Sequence, residues 1–215
     1  MIIKTFINPP FGNNNYLIID EPSHDAVLID CSAPSPDIIE FLKDNNANLK
    51  YILITHGHFD HIMGLNYFRD KCPAPVFAPA KDKDIINHML DYIENTKNTL
   101  NRIPNYTPDT KIPVIDNYFD NDISFKIGNN EIKVISTPGH TSGSVCFLLN
   151  DTLFSGDTMF YHSYGRTDLP SGNETEIFKS LDLLLSLPKE TVVLPGHGNE
   201  TTINEELNFY GAKNE

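Results

Sequence analysis

The run ILITHGHFDHIMG at 52–64 places His56, His58, Asp60 and His61 within six positions. Neutral imidazole nitrogens and a carboxylate held this close suit a borderline metal such as zinc, provided the backbone beneath them is rigid. A strand ending at Thr55 and turning into a helix would supply that support, with Gly57 leaving the chain free to bend between the first two imidazoles. Three more ligand-type residues follow predicted strands and sit beside glycines: His140 in STPGHTSGS, Asp157 in LFSGDT and His197 in VLPGHG. Together they make seven candidate ligands, enough for two metals sharing one bridging carboxylate. Such a pair lowers the pKa of a water between them, and the resulting hydroxide can attack a carbonyl that a metal polarises. Asp60 is the candidate catalytic carboxylate, orienting that nucleophile or taking its proton. No GxSxG elbow competes for the role of nucleophile.

The elements needed to position these residues are legible as β-branched runs between turn residues. IIKTFI at 2–7, NYLIID at 15–20, AVLID at 26–30, YILIT at 51–55 and APVFA at 74–78 read as strands. Helices are expected at SPDIIEFLKDNN, which opens with Ser35 and Pro36 and spaces Ile38, Ile39, Phe41 and Leu42 on one face, and at 62–72. A single helix is expected over 82–100, followed by a stretch broken by Pro104, Pro108 and Pro113, so that 81–121 reads as an insertion or flap over the site. Strands return at 123–127, 131–137, 144–149 and 152–156, then a helix at 174–187, the strand TVVLP and a last helix near 203–210. Two runs of strands, each with its own helices, suggest two sheets with helices outside, within one domain spanning 1–215.

Composition narrows the partners. With 16 Lys+Arg against 29 Asp+Glu and a formal charge of −13, the 215-residue chain offers no basic face for nucleic acid or anionic lipid. No window reaches the ~18 apolar residues of a spanning helix. The first residues show no signal peptide, and Cys31, Cys72 and Cys146 are an odd, widely spaced set, so a cytoplasmic protein with a small-molecule substrate is expected. Oligomeric state is left open.

The THGHFDH motif, the TPGHTSGS turn, LFSGDT and VLPGHG stand in an order that resembles the metallo-β-lactamase superfamily and, within it, the glyoxalase II-like hydrolases. The resemblance spans essentially the whole chain. It implies an α+β, four-layer αββα sandwich with the metal site at the edge between two sheets. It also implies one metal on His56, His58 and His140, a second on Asp60, His61 and His197, and Asp157 bridging. The metals would be zinc, or iron or manganese, and the substrate a thioester of the hydroxyacyl-glutathione kind or a related small acyl ester. Two-domain glyoxalase II enzymes carry a helical C-terminal domain, whereas this chain ends 18 residues after His197 and is more similar to the small single-domain branch that shares GRTDLPSG and PGHGxxTTIxEE.

After Asp157, the segment MFYHSYGRTDLPSG brings Tyr164, Arg166 and Thr167 near the expected metals. A guanidinium suits bidentate carboxylate binding, so Arg166 is the candidate substrate contact, with pairing to Asp168 as its competitor. Asp30 is expected to brace the metal loop by orienting a histidine. Cys31 is expected to be buried and inert, and His88 and His162 to be ordinary polar residues. The alternative activity is an oxidoreductase: persulfide dioxygenases resemble the chain through the same ligands and a GRTD segment, but use one iron, here on His56, His140 and Asp157.

Overall fold

A computed structural model describes residues 1–100, 111–120 and 123–212, with the side chains of 95–100 and 212 outside the description. Pro104 and Pro108 of the expected flap therefore lie outside the described residues. The chain divides into two compact units, Met1–Phe119 and Asp120–Glu215.

The first unit is built on six strands, β1 (Ile2–Asn8), β2 (Asn13–Asp20), β3 (Asp25–Ile29), β4 (Asn48–Leu53), β5 (Val76–Pro79) and β6 (Asn117–Phe119), hydrogen-bonded in sequence order. β1 through β3 are antiparallel neighbours, while β3 to β6 run parallel. Parallel pairing needs crossovers, which α1 (Pro36–Asp44) and the short α2 (Phe59–Ile62) and α3 (Leu65–Lys71) provide. α1 starts at Ser35 with Pro36 in its first turn and buries Ile38 and Leu42, four apart on one face. Each of these side chains contributes about 1.5–3 kcal/mol on burial. They join Leu17, Leu28, Ile52, Ile54, Phe68 and Ile86 in one core cluster.

The stretch after β5 departs from the sequence expectation twice. The single helix expected over 82–100 is divided into α4 (Lys83–Asn87) and α5 (Met89–Leu100). At the break, the His88 backbone leaves the helical region, at φ of −102°, and its ring nitrogen lies 2.9 Å from the carbonyl of Asp84, which also accepts the His88 amide at 3.0 Å. Residues 117–119, within the stretch read as an insertion, form β6 and extend the sheet.

The second unit has its own mixed sheet in the order β14-β13-β10-β9-β8-β7, made of β7 (Ser124–Ile127), β8 (Asn130–Ser136), β9 (Val145–Leu149), β10 (Thr152–Gly156), β13 (Val192–Pro195) and β14 (Thr201–Thr202). The hairpin β11 (Met159–Phe160) and β12 (Ser163–Tyr164) stands apart from that sheet. α6 (Glu174–Leu185) is capped by Asn173, whose side chain accepts the Glu176 amide at 3.1 Å. Ile177, Leu181 and Leu184 of α6 pack with Cys146, Leu153, Val193 and, at the start of α7 (Ile203–Ala212), Ile203. Among the described residues, no helix is long and apolar enough to cross a membrane.

Candidate metal centre

β4 ends at Leu53, and the chain continues through Ile54, whose amide donates to the carbonyl of Phe77, before delivering His56, His58, Asp60 and His61 on the turn into α2. The imidazoles of His56 and His58 stand perpendicular with centroids 4.9 Å apart, and His56 and His61 lie 4.1 Å apart. Asp30 is the brace beneath them. It is 2% exposed, has φ of 58°, and accepts three bonds of 2.8 Å, from the Thr55 amide, the Thr55 hydroxyl and Nδ1 of His61. The orienting role expected for Asp30 is present in this geometry.

In the second unit, Asp157 follows β10, and its Oδ2 lies 3.5 Å from His140 Nε2 and 3.6 Å from His197 Nε2. His140 is fixed from behind by a 2.7 Å bond between Nδ1 and the Arg166 carbonyl. That bond depends on Gly165, because a Cβ there would lie 1.8 Å from the Asp157 carbonyl oxygen and 3.0 Å from His140 Nδ1. The glycine thus lets the 165–166 backbone come close enough to hold a ligand side chain.

Ligand-type side chains form two clusters, His56, His58, Asp60 and His61 in the first unit and His140, Asp157 and His197 in the second. All seven residues singled out in the sequence are in them. The donor chemistry fits divalent metal binding, and the tautomers agree with it. The Thr55 hydroxyl donates to Asp30, so it accepts from His56 Nδ1, 3.1 Å away. With Nδ1–H of His56, His61 and His140 directed to oxygen acceptors, the network assigns each Nε2 as the lone-pair nitrogen.

The other expected contacts are placed as follows. The Arg166 guanidinium forks onto Asp168 at 2.6 and 2.7 Å, with both side chains mostly exposed. This bond pushes Arg166 up and holds the Asp168 carboxyl down at about 2. Tyr164 stacks edge-on with Phe178 of α6 at 5.2 Å, and Thr167 is half-buried in the following loop. Cys31 is wholly buried, and burial, then the charge of Asp30, pushes its thiol well up.

Sequence reasoning passed over three neighbours of the ligands. Asn13 donates to Asp60 Oδ2 at 3.1 Å and lies 3.2 Å from His61 Nε2. Asp82 accepts the amide of Gly57 at 2.8 Å, and Phe160 stands edge-on to His197 at 6.2 Å. Gly57 has a different role from the bend expected of it: it admits close packing, since a Cβ would lie 2.9 Å from Asp82 Cβ.

Comparison with known proteins gives the family. The signature of the metallo-beta-lactamase superfamily matches residues 8–197. The chain is 32% identical over 200 residues to "Probable metallo-hydrolase YqgX" of Bacillus subtilis (strain 168), covering 92% of this chain and 90% of that one. It is also 32% identical over 187 residues to a hydroxyacylglutathione hydrolase of Pelagibacter ubique (strain HTCC1062), covering 86% of this chain and 66% of that one. A solved structure, TTHA1623 in a di-iron-bound form, superposes with a TM-score of 0.81 at 27% identity, over 96% of this chain and 98% of that one. By its signature and its fold, this chain belongs to the metallo-beta-lactamase superfamily.

Proposed function

We propose that the protein is a metal-dependent hydrolase of the glyoxalase II-like type, cleaving a small thioester or related acyl ester at a centre of two divalent ions. The observation that carries this reading is the pair of ligand clusters, four residues in the first unit and three in the second, with Nε2 of His56, His61 and His140 left as the lone-pair nitrogen. On the ligand set that the family resemblance implies, His56, His58 and His140 would hold one ion and Asp60, His61 and His197 the other, with Asp157 shared. Ions bound there lower the pKa of water and polarise a carbonyl, which is the chemistry ester cleavage needs at neutral pH. Zinc is the expected metal, with iron or manganese as substitutes; the di-iron form of TTHA1623 favours testing iron alongside zinc.

The chain's own residues do the rest. Asp60 takes the proton of the attacking water, and the Asn13 amide on its Oδ2 keeps the carboxylate turned. Asp30, Thr55 and the Arg166 carbonyl hold the imidazoles in one tautomer. A substrate carboxylate competes with Asp168 for the Arg166 fork, at small cost because the pair is exposed. Tyr164 and Thr167 flank that arginine and line the acyl carrier. A thiolate leaves without a general acid, so a thioester makes the least demand on the site.

The test is a substrate series on metal-replete protein: a glutathione thioester, a simple thioester, an oxygen ester and a β-lactam, each with and without chelator. Chelator-sensitive turnover highest on a thioester supports the reading. Turnover only of the β-lactam contradicts it, as does oxygen uptake on a glutathione persulfide without any hydrolysis.

A further inference from the structure

Asp82 lies at the N-cap position of α4, where an aspartate ordinarily accepts an amide of its own helix. Here it makes no such cap. The side chain is wholly buried, an expensive place for a carboxylate, and its Oδ2 accepts the amide of Gly57 at 2.8 Å. That amide belongs to the peptide joining His56 to Gly57, so the bond fixes the plane from which the His56 and His58 imidazoles diverge at 87°. The approach is close as well as polar. A Cβ on Gly57 would lie 2.9 Å from Asp82 Cβ, 3.0 Å from Ile86 Cγ1 and 3.1 Å from the Asp82 carbonyl oxygen. Behind the clamp, Ile85, Ile86, Met89 and Ile93 are buried, which anchors α4 and the start of α5.

We infer that Asp82 is a positioning residue for the metal pair His56 and His58, acting through the Gly57 amide, and that it ties α4 to the metal loop. The inference rests on the metal reading of those histidines. A carboxylate accepting a backbone amide forms a charge-assisted bond, and such outer partners of ligands typically carry 10–100-fold in metal affinity. The acceptor oxygen is the feature that matters, so an asparagine at this position keeps the clamp whereas an alanine abolishes it.

The experiment titrates cobalt(II) into metal-stripped protein in competition with a chromophoric chelator, and records the visible spectrum of the bound cobalt. Asp82→Ala is expected to weaken cobalt binding about 10–100-fold and to change the spectrum, while Asp82→Asn stays within about 3-fold of wild type. Asp82→Ala binding and absorbing like wild type overturns the inference, as does a folded Asp82→Asn as weak as Asp82→Ala. Should Asp82→Ala not fold, Gly57→Ala carries the same expectation, because its Cβ pushes the amide off the carboxylate; unchanged cobalt affinity there also overturns the clamp. Wild-type protein that takes up no cobalt refutes the metal reading itself, whereas wild-type uptake with indifferent variants refutes only the role of Asp82.

Discussion

Removing the Asp30 carboxylate tests how the ligand loop is held. Three donors converge on it at 2.8 Å each, the Thr55 amide, the Thr55 hydroxyl and His61 Nδ1. A buried donor left without its acceptor costs about 1–3 kcal/mol. The hydroxyl can rotate elsewhere, so the amide and the imidazole carry most of the loss in Asp30→Ala. The residue also sits at φ of 58°, which aspartate and asparagine tolerate and alanine adopts at about 1–2 kcal/mol. Asp30→Ala is therefore expected to lose about 3–8 kcal/mol, a large share of a typical domain's 5–15 kcal/mol. Asp30→Asn keeps the backbone tolerance and one acceptor but turns an NH2 toward a donor, so an intermediate loss of about 2–4 kcal/mol is expected. Both variants free the His61 ring to change tautomer, and metal affinity should fall about 10–100-fold. Urea unfolding of metal-free protein reads the first effect and chelator competition the second. A loss under about 1 kcal/mol in Asp30→Ala, or affinity within about 2-fold of wild type in both variants, refutes the reasoning.

Four further outcomes follow from the same geometry. Burial pushes the Cys146 thiol up to about 12 and raises Cys31 and Cys72, so at pH 7.5 a disulfide reagent should modify at most the half-buried Cys72 in native protein and all three after denaturation. For Cys146, whose folded pKa is raised, the linked stability is complete below the unfolded value near 9.0 and is lost between there and about 12; a urea midpoint constant from pH 9 to 12 would contradict the burial. Arg166→Ala should raise KM for a substrate bearing a carboxylate at least about 5-fold with kcat little changed, and leave a neutral substrate unaffected; equal effects on both would reduce the arginine to its pairing with Asp168. Gly165→Ala places a Cβ 1.8 Å from the Asp157 carbonyl oxygen, so the 165–166 backbone must shift and release His140; full metal content and activity in this variant would show that the Arg166 carbonyl is dispensable.

What the sequence made legible was the chemistry at strand ends. Thr55, His56 and their partners follow a β-branched run whose end is evident from the turn residues, and a ligand carries its identity in its own side chain. The helix break at His88 was not legible, because the backbone there leaves the helical region, at φ of −102°, with no proline or glycine to announce it. Nor was β6, three residues whose pairing partner lies some forty positions earlier in β5. Asn13 and Asn14 have the composition of a turn, yet both are buried in β2 ahead of the strand read at 15–20, where Asn15 bonds Ser32 through both its amide and its oxygen. Polar residues placed by tertiary bonds leave no periodic signal. Asp82 is the sharpest case: its position at a helix start accounts for the residue type, while its bond to Gly57 comes from a loop twenty-five residues earlier.

The proposed centre has seven side chains holding two divalent ions that carry out hydrolysis. Its most direct test is the metal content of protein purified without added metal, measured beside that of His197→Ala and coupled to a thioester assay. Two equivalents per chain with thioester turnover, falling to about one equivalent with activity reduced at least 100-fold in His197→Ala, is the result expected. A single iron in the wild type, unchanged in His197→Ala and supporting oxygen uptake on a persulfide, would contradict it.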